Sequence, residues 1–149
     1  MNDPNWADIL TAISTLGIGL LGAYFAWRQF VLSELQWKHQ LYDRRMAIYV
    51  AAGQTIGHMF RHGTLPDSEL IDFLQKTRES DFLLNSAVTA QLDEMYNKAI
   101  RLQQLDAEKQ DKDDPDRGKK IQEAVDIKIW YIGQGKVLKE LFSPFLKLS

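Results

Sequence analysis

Between Ile9 and Trp27 lie nineteen residues, ILTAISTLGIGLLGAYFAW, without one charge. Coiled as an α-helix at ~1.5 Å per residue, the run is ~28 Å long, close to the ~30 Å hydrocarbon core of a bilayer. Trp6 stands before it, and Tyr24 and Trp27 close it, followed at once by Arg28. Aromatic rings at both ends of an apolar run match the two membrane–water interfaces. A secretion signal needs a basic leading region and a small-residue cleavage site. Here no Lys or Arg precedes Arg28, and the run ends in bulky YFAWRQF. A transmembrane helix over 9–27 is therefore expected. Arg28, Lys38, Arg44 and Arg45 all follow the span. The positive-inside rule thus predicts an extracytoplasmic tail at 1–8 and a cytoplasmic part at 28–149.

Within the span, Thr11, Thr15, Gly19 and Ala23 form one row at four-residue spacing, and Ser14, Gly22 and Ala26 a second row beside it. Small side chains let helices approach closely, and hydroxyls can bond across the contact. The row predicts self-association, with both a sealed helix contact and a pore lining left open. The lipid bilayer and further copies of the chain are the first expected partners.

The remaining ~120 residues are enough for one small core. Net charge is −2, which selects no nucleic acid, and the absence of cysteine rules out disulfides and thiol chemistry. Leu32, Leu35, His39, Tyr42, Met46, Tyr49, Gly53, Ile56 and Phe60 alternate three- and four-residue steps. They predict a first helix continuing out of the span with this seam inward. A break at HGTLPD, with Thr64 or Asp67 as cap and Pro66 in the first turn, precedes a short helix over 68–79 that buries Leu70, Ile71, Phe73 and Leu74. SDFLLNS interrupts the pattern, with Asn85 and Ser86 as turn or cap residues. A helix over 86–110 then carries the stripe Val88, Leu92, Met95, Tyr96, Ala99, Leu102 and Leu105, and the charged turn at 111–118 follows. The last helix, over 119–142, is expected to bury Ile121, Val125, Ile129, Ile132 and Leu138. The fold class is all-α: a transmembrane helix running into an antiparallel cytoplasmic bundle of about four helices.

Chemistry is sparse. His58 and His62 share a helix face, but HMFRH lacks the glutamate of a zinc helix, and Arg61 repels cations. They read as a helix-end pair near the negative end of the dipole. The Arg–His spacing of HEPN-type ribonucleases is missing, since Arg45 lies thirteen residues before His58 and Arg61 abuts His62. YIGQGK lacks the gap and final Ser/Thr of a phosphate loop, so Gly133 and Gly135 read as sites of close helix packing. No catalytic residue, metal ligand or cofactor is assigned. Arg44, Arg45 and Arg78 are candidates for an anion or a cytoplasmic protein partner. The first two lie ~25 Å beyond the span if the helix is straight, too far for headgroups. Pairing of Arg44 and Arg45 with nearby acids is the alternative. In the KTRES element, Lys76 and Arg78 suit the last turn of a helix, Ser80 and Asp81 the cap of the next, and Arg78 a bridge to the first helix.

A single N-terminal span followed by LYDRRMAIY, FLQKTRESDFLL and LDEMYNKAIRL resembles a group of uncharacterised small bacterial membrane proteins over nearly the whole chain. The layout also resembles the pore-forming membrane accessory protein of type VI CRISPR systems, a ring of single-span subunits with helical cytoplasmic domains. These resemblances imply a homo-oligomeric, non-enzymatic protein of the bacterial inner (cytoplasmic) membrane, an effector in phage defence that perturbs the membrane or couples a signal to it. A non-conducting membrane adaptor that recruits a cytoplasmic partner is the alternative.

Overall fold

A computed structural model describes residues 6–108 and 115–147, apart from the side chains of 7, 8, 34 and 35. Residues 1–5 of the expected N-terminal tail and 111–114 of the charged turn thus lie outside the described residues. The helices are α1 (Trp6–His62), α2 (Asp67–Thr77), α3 (Ser80–Leu83), α4 (Ser86–Glu108) and α5 (Arg117–Phe142), with no strand among the described residues. The architecture is all-α, a long apolar first helix followed by helices packed as a bundle.

The chain divides between Gln40 and Leu41 into two units, and α1 contributes to both. In the first unit every described side chain from Ile9 to Gln40 is exposed, and α1 is long and apolar enough to cross a membrane.

The second unit holds the core. α4 supplies Val88, Leu92, Met95, Ala99, Leu102 and Leu105, the expected stripe except that Tyr96 is only half-buried. From α1 the buried residues are Ile48, Ala51, Ala52, Thr55 and Met59. This face runs one residue ahead of the expected seam, a rotation of about 100°. The alanines let neighbouring elements come close, Tyr49 packs at the edge against Phe142 at 5.3 Å, and Gly53 and Phe60 face outward. In α2, Leu70 and Phe73 are buried, while Ile71 and Leu74 lie outward.

The largest correction concerns α5. It buries Ala124, Ile127, Tyr131, Gln134, Leu138 and Phe142, and leaves Ile121, Val125, Ile129 and Ile132 exposed. Both faces of α5 are apolar enough to be a core face, so periodicity admits two phases. Hydrogen bonding separates them. The Tyr131 hydroxyl donates to the Met95 carbonyl. Gln134 accepts from Gln91 Nε2 at 2.9 Å and donates to the Trp130 carbonyl at 3.0 Å. Turned inward, Tyr131 reaches the Met95 carbonyl and Gln134 reaches Gln91, both of α4; a buried polar group without a partner costs free energy.

Local signals set the ends. α1 stops where Gly63 takes a φ of 70°, a left-handed conformation suited to glycine, and donates its N–H to the Met59 carbonyl at 2.8 Å. Pro66 occupies the N-cap of α2, and no side chain caps it. Instead Gln103 of α4 donates to the Leu65 carbonyl at 2.6 Å and to Asp67 Oδ1 at 3.0 Å. Asn85 Oδ1 accepts the Val88 N–H at 3.0 Å and caps α4. The expected interruption at SDFLLNS contains the single turn α3, whose N-cap is Glu79, without a side-chain bond from Ser80 or Asp81.

Candidate functional site

Trp6 and Trp27 are twenty-one residues apart on α1, ~32 Å at 1.5 Å per residue, and both are exposed, as is Tyr24. That interval fits the apolar thickness of a bilayer. Arg28 follows in the next position of the helix. Thr11, Thr15, Gly19 and Ala23 are all exposed. Thr15 Oγ1 donates to the Thr11 carbonyl at 2.7 Å and Ser14 Oγ to the Leu10 carbonyl at 2.8 Å, so these hydroxyl protons are satisfied within the helix. A Cβ added at Gly17, Gly19 or Gly22 would meet nothing within 4 Å. These glycines serve no packing contact inside the described chain, although each costs a helix about 1 kcal/mol relative to alanine.

The three arginines gather around α3. Arg44 of α1 donates to Glu79 Oε1 at 3.0 Å, and Arg45 Nε donates to the Leu83 carbonyl at 2.9 Å while its guanidinium lies 5.4 Å from the Phe145 ring centre. The expected bridge from Arg78 to α1 is replaced by the neighbouring Glu79. Arg44, Arg78, Glu79, Phe82 and Leu83 line a shallow hollow of about 400 Å³. Phe82 is 88% exposed beside it. The hollow thus presents two guanidinium groups, one of them paired with the Glu79 carboxylate, beside an exposed ring.

A larger groove of about 770 Å³ runs between α4 and α5. Arg101 donates to both Glu123 oxygens, at 2.7 and 2.8 Å, and the hydrogen bond holds the Glu123 carboxyl below the usual carboxylate range. Lys98 sits 4.9 Å from the Trp130 ring centre and 3.6 Å from Glu94. Sequence reasoning missed this cluster because its partners are twenty-two residues apart and only the α4–α5 pairing joins them. Burial alone pushes the Tyr131 phenol up.

His58 and His62 stack with ring centres 4.5 Å apart, and Glu69 lies 3.9 Å from His58 Nδ1. No cluster of three or more candidate metal ligands occurs among the described residues. Gly133 and Gly135 lie within α5 and face open space, so neither accommodates the close packing expected of them. Near Gly63, Ile56, Met59, Phe60, Tyr131 and Ile132 form an apolar hollow of about 180 Å³. No family model, curated protein or solved structure matches this chain.

Proposed function

We propose that the protein is a homo-oligomeric, single-pass protein of the bacterial cytoplasmic membrane. Its N-terminus lies outside and residues 28–149 lie in the cytoplasm. It acts as an effector in phage defence that perturbs the bilayer or couples a cytoplasmic signal to it. The observation that carries this reading is the uncharged, wholly exposed helix from Ile9 to Trp27, bracketed by Trp6 and Trp27 at a bilayer's spacing. Glycines that pack on nothing within the chain support a contact with other copies. α1 also runs on to His62 without a loop, so the element that enters the membrane also helps form the core. The first test is extraction of membranes at alkaline pH, where the chain stays in the pellet; release into the supernatant refutes the span. The second is dye leakage from vesicles carrying the purified chain, with Gly19→Leu expected to reduce it.

The alternative is a non-conducting adaptor. It is favoured by the exposed apolar and basic surfaces of the second unit, Ile129 and Ile132 on α5 and Arg78 beside Phe82. Vesicles that stay sealed under every condition, together with a chain that remains membrane-bound, select it.

A further inference from the structure

We propose that a second copy of the chain packs in parallel along α1, through a seven-residue repeat that leaves the bilayer and continues as far as Trp37. The inference rests on the membrane reading above and names the surface that joins the copies outside the lipid. Leu16, Ala23, Phe30 and Trp37 recur at every seventh position, and Gly19, Ala26 and Ser33 recur at every seventh position between them. Their steps alternate three and four, the spacing of a helix seam, and none of the seven carries a charge. α1 is helical throughout, and all seven are exposed. Arg28 falls about 160° around the helix from Phe30, on the other face.

Phe30 is 69% exposed and Trp37 72% exposed. Trp37 lies ten residues beyond Trp27, ~15 Å along a straight helix perpendicular to the bilayer, whereas each headgroup layer is only ~5–7 Å deep. Lipid therefore does not cover it. At roughly 150–250 Å² for a whole aromatic side chain, the two rings present ~200–350 Å² per copy. A standard interface buries ~800 Å² per partner, so the rings supply a quarter or more of it, with the intramembrane positions adding to the rest. The occupant is a second copy because the aromatic positions continue a repeat that begins inside the bilayer, where a soluble partner cannot follow. Copies inserted in one direction meet in parallel and in register. Layers of large residues then alternate with layers of glycine, alanine and serine, which leave room for them.

The chain has no cysteine, so single-cysteine variants report single positions. The full chain is placed in phosphatidylcholine–phosphatidylglycerol vesicles and oxidised. Ser33→Cys and Ala26→Cys should form covalent dimers about tenfold more readily than Leu32→Cys and His39→Cys on the opposite face, and adding Trp37→Glu should cut the Ser33→Cys yield by about tenfold. Equal yields at 32 and 33 overturn the seam. So does crosslinking at 26 with none at 33, although that result leaves self-association in the bilayer intact. A chain that is released from vesicles at alkaline pH refutes the membrane reading instead.

Discussion

From Ile9 to Gln40 no described side chain is buried, whereas from Ile48 to Phe142 every helix longer than one turn sends at least two residues into a common core. Both stretches contain Leu, Ile, Ala and Phe, but charged residues number three of 32 in residues 9–40 and 29 of 95 in residues 48–142. They differ in where the polar residues fall. In the second stretch polar residues interrupt the apolar ones at helical spacing, giving each helix an inside and an outside. In the first, the run from Ile9 to Trp27 has no charge on any face, and a helix apolar all round needs an apolar surrounding. The second unit supplies that surrounding from its own chain. For the first, lipid and other copies are the proposed source.

This contrast breaks most sharply under core truncation. Leu102→Ala, at a fully buried position of α4, should cost about 2–5 kcal/mol and lower the melting temperature of the detergent-solubilised chain, read by circular dichroism. Leu20→Arg, in the exposed stretch, should leave that melting temperature unchanged but add ~2.5–3.5 kcal/mol to insertion, read as loss from the alkaline-washed membrane pellet. If both variants lower the melting temperature equally, the two regions do not obey separate rules.

Smaller changes sharpen the second unit's side. Gly63→Ala forces a Cβ into a left-handed conformation and to 3.2 Å from Lys128 Nζ, and should destabilise by about 1 kcal/mol or slightly more. Asn85→Ala removes the α4 cap at a cost of about 0.5–2 kcal/mol, and both should shift urea midpoints without changing the slope. The smallest effect is electrostatic. Because Glu123 titrates below its unfolded value, its pairing with Arg101 stabilises above the ordinary carboxylate range and is lost as pH falls through the lowered folded value. Glu123→Gln should flatten that part of the stability–pH curve, measured by urea titrations at stepped pH.

Much of the fold was legible in order. The stripe of α4, the break after His62, the Asn85 cap and the end of α5 all rest on contacts within a few residues, which sequence records directly. The seam of α1 was misread by one residue because Tyr49, Ile56 and Phe60 are larger and more apolar than Ala51 and Ala52, yet the alanines permit closer approach. In α5 the more hydrophobic face was taken as inner, while Tyr131 and Gln134 lie inside with partners on α4. Of the candidate site residues, the uncharged run and the aromatic residues at its ends were visible as a block of composition. The pairing of Arg44 with Glu79, of Arg45 with the Leu83 carbonyl and of Arg101 with Glu123 was not, since these partners are joined only by packing.

The amino-acid order alone determined that the chain is helical, where most helices start and stop, and that its first helix is apolar on every side. These are properties of nearest neighbours and of water's aversion to uncharged surface. Tertiary structure alone decided which of two apolar faces α5 turns inward, how α1 is rotated, and which charges meet. Those choices depend on the shape and hydrogen-bonding groups of residues twenty to forty positions away, and no local pattern carries that information.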